Sequence, residues 1–408
     1  MSWRALTVGE LVDAGLADIQ TGPFGTQLKA SAYTSEGTPV INVRNIGYGG
    51  LRTEKLEFVA GVTAERLATH LLVPQDIVFG RKGAVDRHLY VTAGQDHWMQ
   101  GSDCIRLRFM TDEVIPRFIS YGFLAASHQK WMLTQSGNKA TMASLNHDII
   151  RRISLRLPAP SVQTATVDVL SAYDDLIENN RKRIVLLEES ARLLYREWFV
   201  RLRFPGYEHA RITNGVPEGW ERVPTPNAIE INPSVRLSDA AEHWSVEMAD
   251  LLPGSMLIQQ ATRRDGRSGS KFMNGDTLFA RITPCLENGK TAFVAFLEDG
   301  EVARGSTEFI VLRSRRLTPE FVYLLARTYD FRENAIKSMI GSSGRQRVQE
   351  SCFQKYPVFV PSATILSVFT ETVRLLFQQV KTLHAQNQKL RAARDLLLPR
   401  LINGEIVV

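Results

Sequence analysis

The sequence lacks the short motifs that mark several large enzyme classes. No Asp or Glu is followed two residues later by Lys, which argues against the acidic Glu-x-Lys site of many nucleases. There is no Gly-x-x-x-x-Gly-Lys-Ser/Thr phosphate loop, and no glycine-rich cofactor loop follows a strand pattern. Residues 232–235, Asn-Pro-Ser-Val, lack the second proline and the aromatic residue of an amino-methyltransferase tetrapeptide. These absences predict a chain without an active site of its own.

Metal-binding and membrane-spanning patterns are also missing. The three cysteines, Cys104, Cys285 and Cys352, have no CxxC or Cys/His spacing, so we expect buried thiols in a reducing cytoplasm, without disulfides or zinc. His147 has no metal-ligand neighbours and no counterpart later in the chain, which favours a structural role. No stretch approaches the roughly 18 apolar residues of a membrane span, and the N-terminus lacks the charged start and apolar core of a signal peptide.

The composition permits two folded domains. The chain has 408 residues, which is longer than a single hydrophobic core usually supports. Hydrophobic residues make up 44% of it. The formal net charge is +6, which allows an anionic partner without requiring one.

The strongest positive signal is an internal repeat. Residues 76–81 read Asp-Ile-Val-Phe-Gly-Arg, and residues 276–281 read Asp-Thr-Leu-Phe-Ala-Arg, a spacing of 276 − 76 = 200 residues. A long heptad pattern follows each copy. A globular unit, a helix, a second globular unit and a second helix follow one another along the chain, which predicts a molecule with approximate two-fold symmetry. Duplex DNA has similar symmetry and is the leading candidate for its partner.

Other segments repeat in the same order. Strand-like alternation, a Gly-Ser turn before an apolar strand, and a helix opened by proline occur once in each copy. Mixed helix and strand signals around each core predict the α+β class. A Pro/Gly/Asn-rich connector, residues 204–218, reads as an exposed linker between the copies. The matched segments are 41–46 with 246–251, 101–103 with 305–307, Pro116 with Pro319, and the loops 136–139 with 343–347.

Two heptad patterns predict two long helices that form an antiparallel coiled coil. They share one register, since 373 − 170 = 203. Asn180 and Asn387 also fall in the seam, where a polar residue typically fixes register. The alternative is that each amphipathic helix lies on its own domain. The apolar seam residues are Leu170, Ile177, Ile184, Leu187, Leu194, Val373, Leu376, Val380, Leu383, Leu390 and Leu397.

If the helices are antiparallel, the globular units lie at opposite ends of the pair. A helix over residues 162–200 would be about 58 Å long at 1.5 Å per residue. This length corresponds to no more than about one and a half turns of B-DNA. Two recognition units at a fixed distance on one duplex would act as a molecular ruler.

Shared and differing positions suggest different tasks. Arg81 and Arg281 occur in both copies, which suits sequence-independent phosphate contact, although a strand-end arginine paired with a carboxylate is equally compatible. The basic loop of residues 263–271, with Arg263 and Arg264, and the turn ending in Lys29 could follow a phosphate backbone. Residues that differ between the copies are candidates for base reading, and they are Arg44, Lys82, Asn138, Lys139, Arg345, Gln346 and Arg347.

Two other functions are compatible with the sequence. A coiled-coil scaffold whose domains bind only proteins would show no strong salt dependence of duplex binding, because it would release no counterions from phosphates. A nuclease or methyltransferase with an unfamiliar site would turn over substrate with Mg²⁺ or S-adenosylmethionine.

Taken together, the duplicated order resembles the specificity subunit of type I restriction-modification systems, and the resemblance covers essentially the whole chain. It rests on residues 22–25 and 219–220, the paired Asp76 and Asp276 strands, the Ser-Gly loops, and the helix ends at 192–199 and 396–404. Arg394 in the seam and Pro399 near the end of the second helix depart from the pattern.

The resemblance implies a non-catalytic protein that binds double-stranded DNA. Each target recognition domain would read half of an asymmetric bipartite site, and the helices would set the spacer and dock two modification subunits. S-adenosylmethionine would be bound by those subunits, and ATP and Mg²⁺ by restriction subunits, with no cofactor on this chain. The implied division is residues 1–160 and 219–361 for the recognition domains, 161–203 and 362–403 for the spacer helices, and 204–218 for the linker.

Overall fold

The computed structural model describes residues 3–137, 143–342, 344–406 and 408, which form two compact units. The first unit comprises residues 1–177 and 389–408, and the second comprises residues 178–388. Each unit therefore contains one globular domain together with segments of both long helices. No helix within the described ranges is long and apolar enough to cross a membrane.

The first unit is built on mixed, mostly antiparallel sheets with short helices. A five-stranded sheet has the order β2-β10-β7-β8-β5, a four-stranded sheet has the order β3-β6-β4-β9, and β1 pairs with β11. The strands are β1 (Arg4–Thr7), β2 (Ala17–Thr21), β3 (Tyr33–Thr34), β4 (Thr38–Ile41), β5 (Tyr48–Gly49), β6 (Glu57–Val59), β7 (Ile77–Gly80), β8 (His88–Tyr90), β9 (Met99–Gln100), β10 (Cys104–Phe109) and β11 (Ser154–Leu157). The helices are α1 (Val8–Asp13), α2 (Gly61–Arg66), α3 (Pro116–Phe123), α4 (Ala126–Ser136), α5 (His147–Arg151) and α6 (Pro160–Tyr195).

The second unit repeats most of this topology, although its first sheet has four strands where that of the first unit has five. Its two four-stranded sheets have the orders β15-β22-β19-β20 and β17-β16-β21-β18, and β14 pairs with β23 as β1 pairs with β11. The strands are β12 (Ile212–Thr213), β13 (Val216–Pro217), β14 (Glu221–Pro224), β15 (Ile229–Ile231), β16 (Glu242–Val246), β17 (Thr262–Asp265), β18 (Ser270–Phe272), β19 (Thr277–Ala280), β20 (Thr291–Phe293), β21 (Ala303–Gly305), β22 (Phe309–Ser314) and β23 (Pro357–Val360). The helices are α7 (Thr225–Ala228), α8 (Pro319–Ala326), α9 (Tyr329–Lys337) and α10 (Ala363–Ile402).

The repeated aspartate has a structural role in both units. Asp76 and Asp276 are each 1% exposed. Arg108 donates from Nε and Nη2 to both carboxylate oxygens of Asp76, at 2.6 and 2.7 Å, and Arg313 does the same to Asp276, at 2.7 and 2.6 Å. The backbone N–H of the residue three positions earlier also donates to each carboxylate. The ion pair therefore joins the start of β7 to β10 in the first unit, and the start of β19 to β22 in the second.

The strand expected over residues 41–46 and 246–251 is wrong beyond its first residue. The strands end at Ile41 and Val246, and 3₁₀ turns, Val43–Asn45 and Met248–Asp250, follow. In each turn a side chain accepts the N–H three residues earlier: Asn45 accepts from Asn42 at 3.1 Å, and Asp250 accepts from Glu247 at 2.7 Å. This local capping competes with strand extension at the same place in both copies.

Two other predicted segments also differ. The basic loop of residues 263–271 is mostly strand, because Arg263 and Arg264 lie in β17 and pair across to β16. The connector of residues 204–218 is largely exposed, but it contains the β12–β13 hairpin, and Phe204 is buried with its ring 4.8 Å from that of Trp220. An aromatic anchor therefore holds the start of the connector.

The long helices run antiparallel, as predicted, within each unit separately. In the first unit, Leu170 packs in one cluster with Leu398 and Leu401. In the second unit, Asn180 donates from Nδ2 to Oδ1 of Asn387 at 3.1 Å. Within each unit the sum of the paired residue numbers is constant, as antiparallel pairing requires: 170 + 398 and 174 + 394 both give 568 in the first unit, and 180 + 387 and 198 + 369 both give 567 in the second.

The seam residues differ in their exposure. Leu170, Ile177, Val373, Val380 and Leu383 are buried. The rest of the predicted seam is half-buried, namely Ile184, Leu187, Leu194, Leu376, Leu390 and Leu397.

The two departures in the second helix are both accommodated. Arg394 donates from Nη1 to Asp174 at 2.6 Å, and Arg117 and Tyr121 contact the same carboxylate, so the seam charge is neutralised. Pro399 does not end α10, which continues to Ile402.

Two imidazoles, the buried His88 and the half-buried His128, make the first unit sensitive to acid. Burial lowers the pKa of His88 to about 3, with smaller contributions from His128 and Arg117, and burial lowers the pKa of His128 to about 4. Both remain neutral in the folded state, whereas an unfolded histidine binds a proton near pH 6.5. Their contribution to stability is therefore complete above pH 6.5 and is lost as the pH falls towards these values.

We expect the free energy of unfolding of the first unit to fall by about 1.4 kcal/mol per pH unit for each of these histidines below pH 6.5. His128 stacks on Phe123 with ring centroids 4.4 Å apart, so His128→Phe preserves the packing and removes one titrating group. Urea unfolding between pH 7.5 and 5 should show a shallower loss for this variant than for the unsubstituted chain. An equal loss in the two would contradict the assignment.

Candidate nucleic-acid interface

The strand-end arginines occupy the same backbone setting in both units. The N–H of Arg81 donates to the carbonyl of Asp103 at 2.7 Å, and its own carbonyl accepts from Leu145 at 2.8 Å. The N–H of Arg281 donates to the carbonyl of Glu308, and its carbonyl accepts from Val348, both at 2.9 Å. The end of the repeated strand is thus held between the Gly-Ser turn and the loop that follows α4 or α9.

The side chains of these arginines are used differently. Arg281 contacts Glu350 at 3.3 Å and donates to the carbonyl of Val348 at 3.2 Å, so the carboxylate alternative describes it better than a phosphate contact. For Arg81, no carboxylate of the described ranges lies within 4.0 Å. The residue at the position matching Glu350 is His147, since 350 − 203 = 147, and its Nε2 lies 2.8 Å from Thr21 Oγ1. Arg81 therefore remains a candidate for phosphate.

Most of the other predicted basic contacts are exposed side chains that are paired with a carboxylate. In the first unit, Arg44 pairs with Glu57, and Lys82 lies 3.2 Å from Asp103. In the second unit, Arg263 pairs with Glu301 at 3.2 Å and lies over the Trp244 ring, Arg264 pairs with Glu247 at 3.8 Å, and Arg347 pairs with Glu308 at 2.6 Å. The pairing orients these cations and reduces the net positive charge of the surface.

The remaining predicted site residues lack such partners or lie elsewhere. Lys29 and Arg345 are exposed, and within the described part of the chain neither has a carboxylate within 4.0 Å. Gln346 is half-buried, and its carbonyl accepts the N–H of Thr283 at 3.1 Å. Asn138 and Lys139 lie outside the described residues.

The structure corrects the register of the variable loops. Bridges join Ile282 to Arg347 and Lys82 to Ser144, so Ser144 is the counterpart of Arg347, at a spacing of 347 − 144 = 203. The sequence alone instead aligns the loops through their Ser-Gly pairs, which gives a different register. The helices α3 and α8 follow the same 203-residue spacing, which makes it the better alignment.

The carboxylates that position these cations were missed at the sequence level. Asp103 and Glu308 both stand directly before a buried strand, β10 or β22, and both follow a Gly-Ser pair. That placement is visible in the sequence, where the Gly-Ser pair ahead of an acidic residue is the signal that marks both positions.

A polar cleft lies beside Arg281 in the second unit. Its volume is about 230 Å³. Lys271 and Arg281 supply positive charge to its wall, and Ser234, Ser270 and Thr307 supply hydroxyl groups. Gly269 is required there, because its φ is +101° and a Cβ would lie 2.0 Å from the carbonyl of Gly305. The cleft has the chemistry of an anion-binding surface.

Each unit also has a cavity beside the long helix that ends in it. In the first unit, a cavity of about 280 Å³ lies between α3, α4 and the end of α10, with Trp131 and Asn403 in its wall. In the second unit, a cavity of about 320 Å³ lies between α8, α9 and the end of α6, with Arg192 and Asp330 in its wall. Matched elements thus form a mixed apolar and charged cavity in both units.

Other polar residues are explained by the fold. Asn146 caps α5 by accepting the N–H of Ile149 at 2.9 Å. Cys104 is buried, and burial raises its pKa to about 12, whereas Cys285 and Cys352 are only half-buried, contrary to expectation. Among the described residues, no group of three or more His, Cys, Asp or Glu is arranged to hold a metal ion.

Comparison with known proteins agrees with this architecture. Residues 15–189 match the family described as "Type I restriction modification DNA specificity domain". The MjaIX type I restriction enzyme specificity subunit of Methanocaldococcus jannaschii is 22% identical over 73% of this chain and 70% of its own length. The EcoAI specificity subunit of Escherichia coli is 30% identical over 40% of this chain, but this match spans only 29% of that subunit.

A solved structure has the same fold along nearly the whole chain. The crystal structure of the type I restriction-modification S subunit from M. genitalium aligns with a TM-score of 0.57 at 14% identity, and it covers 98% of this chain and 96% of that one. At this identity the alignment shows similarity of fold. With the family match over residues 15–189 and the curated relatives, it shows that the chain is similar to type I restriction-modification specificity subunits.

Proposed function

We propose that the chain reads a bipartite, asymmetric double-stranded DNA site, one half with each unit. The observation that carries this proposal is the matched backbone setting of Arg81 and Arg281, around which the two units present different exposed side chains. A shared frame with different side chains suits two half-sites of different sequence. Residues 1–160 and 219–361 would be the two target recognition domains.

The proposed partners are two modification subunits that use S-adenosylmethionine and restriction subunits that use ATP and Mg²⁺, assembled in the cytoplasm. The matched cavities beside the ends of α6 and α10 support docking of the same partner twice, because similar elements line both cavities. Residues 161–203 and 362–403 would carry this docking and set the spacer between the half-sites, with 204–218 as the connector.

The test of DNA reading is a comparison of methylated sites in the host genome with and without this chain. Loss of one bipartite motif on deletion is the expected result. Binding of the purified complex to duplex DNA should also weaken steeply with salt, since phosphate contacts release counterions. A protein-only scaffold would leave the methylation pattern intact and would show no salt-dependent duplex binding.

We expect removal of one heptad from both helices to shorten the recognised spacer. Residues 175–181 and 386–392 lie opposite each other in the register of the Asn180–Asn387 pair, so deleting both segments preserves the antiparallel pairing. Seven residues correspond to about 10 Å of helix, or roughly three base pairs. Both half-sequences should remain unchanged in the selected motif, and an unaltered spacer would contradict the ruler function.

A control uses the same deletion on one helix alone. Deleting only residues 175–181 leaves Asn387 opposite an unmatched residue and shifts the seam by one heptad. This variant should lose stability without defining a new spacer, which separates spacer length from general damage to the helices.

A further inference from the structure

The Arg347–Glu308 pair in the second unit is joined by several hydrogen bonds. Arg347 donates from Nε to the two carboxylate oxygens at 2.9 and 3.0 Å and from Nη2 to Oε1 at 2.6 Å. The side chain of Arg347 is 49% exposed and that of Glu308 is 21% exposed. The carboxylate is therefore largely enclosed, while the guanidinium reaches the surface.

Both partners are fixed by their backbones. Arg347 exchanges two hydrogen bonds of 3.0 Å with Ile340, which closes a short hairpin, and it bridges to Ile282. Glu308 donates its N–H to Ser306 Oγ at 3.2 Å, and its carbonyl accepts from Arg281 at 2.9 Å. Little conformational entropy remains to be lost when this guanidinium meets a ligand.

The contact with Glu308 leaves one recognition edge of the guanidinium available. Arginine has five N–H donors, and the carboxylate occupies the Nε–H and one Nη2–H. The two distal donors, one on Nη1 and one on Nη2, have no protein acceptor among the described residues. This end-on pair is the fork that matches O6 and N7 of guanine in the major groove.

Because Glu308 compensates the charge of Arg347, the free donors of this guanidinium suit a base better than a phosphate. A guanidinium neutralised by its own carboxylate gains little from a phosphate and releases few counterions, but its N–H groups still donate to neutral acceptors. We propose that Arg347, positioned by Glu308, reads a guanine in the half-site of the second unit. This inference rests on the proposed function and adds to it the identity of one base and of the positioning carboxylate.

The test selects duplexes from a randomised library with the complex recovered on the tagged full-length chain. Arg347→Lys keeps the charge but removes the planar fork, so discrimination for guanine at one position should fall roughly 5- to 150-fold. The salt dependence of binding should stay the same. Both the other half-site and the spacer should be unaffected.

Changing the carboxylate distinguishes a positioning role from a phosphate contact. Glu308→Gln leaves the arginine uncompensated, so discrimination at the same guanine should fall while the slope of log affinity against log salt becomes steeper by about one ion. Glu308→Asp, which retains a carboxylate, should recover part of the discrimination. Should the glutamine variant fail to fold, Arg347→Lys at the exposed surface still tests the inference.

Two controls complete the experiment. Glu333→Gln removes a carboxylate from the pair with Lys337 elsewhere in the unit and should leave the motif unchanged. Asp103→Asn alters the Lys82 pair at the matched position of the first unit and should change only the other half-site.

The outcomes separate this inference from the proposed function. A bipartite motif that is retained intact in Arg347→Lys overturns the inference alone, as does a uniform affinity loss across all sequences. Failure of the unsubstituted chain to select any bipartite motif overturns the proposed function.

Discussion

Replacing Asp276 with alanine is expected to lower the free energy of unfolding of the second unit by about 3 to 5 kcal/mol, because it leaves a largely buried arginine without its partner. The carboxylate is 1% exposed and takes two hydrogen bonds from Arg313, whose side chain is 20% exposed. The Asp276 hydrogen bond raises the pKa of Arg313. Without that bond the guanidinium still stays charged, because arginine is not deprotonated in proteins. Urea unfolding followed by circular dichroism measures the loss.

The two copies of the motif provide an internal comparison. Asp76→Ala should destabilise the first unit in the same way, because it leaves Arg108 without its partner. The control is Asp299→Ala at an exposed position, which should change the free energy of unfolding by less than about 0.5 kcal/mol. The double variant Asp276→Leu with Arg313→Met should recover much of the loss, since no unpaired charge remains buried. A loss below 1 kcal/mol in both single variants would show that the pair is not what stabilises the strand.

Replacing Phe369 with alanine should cost the second unit about 3 to 5 kcal/mol through the cavity it creates. Phe369 is fully buried in α10, and its ring centroid lies 4.7 Å from Phe199, 5.7 Å from Trp198 and 6.0 Å from Phe321. The cluster joins both long helices to α8. The expected result is a large drop in the urea midpoint with little change in its slope.

The neighbouring residue is a matched control for this variant. Val368 lies one position earlier on the same helix and is 44% exposed. Val368→Ala should change the free energy of unfolding by less than about 0.5 kcal/mol. Similar losses in the two variants would contradict the assignment of the effect to packing of the aromatic cluster.

Patterns of sequence period predicted the larger elements correctly. The heptads predicted two antiparallel helices, and contacts within each unit confirm that orientation through the Leu170 cluster and the Asn180–Asn387 hydrogen bond. The repeat predicted two α+β units with matching element order, and the sheet orders agree with it. Such features depend on apolar periodicity over many residues, which one local exception does not disturb.

Local competition explains the errors. Residues 43–45 and 248–250 alternate like a strand but form 3₁₀ turns, because a side chain three residues later satisfies the backbone N–H. Residues 263–265 read as a basic loop but form β17, because a partner strand distant in sequence supplies hydrogen bonds to their backbone. The secondary-structure propensity of a residue takes account of neither the capping side chain nor the partner strand.

For the candidate interface, the sequence identified the cations but not their partners. Arg81 and Arg281 occupy equivalent positions in the repeat, yet only Arg281 is paired with a carboxylate, at Glu350, while the residue at the matching place is His147. The difference depends on residues about 70 positions away. Pairing partners at that distance become visible only when the chain is folded.

The sequence by itself determined the duplication, the helix pair and the resemblance to a known family, because these follow from residue identity and period along the chain. Only the tertiary structure decided what the repeated aspartate does, which arginines are neutralised, and that Glu308 holds the guanidinium of Arg347 with one donor edge left for a ligand. Ion pairing depends on distances of a few ångströms between residues far apart in sequence, and folding alone sets those distances.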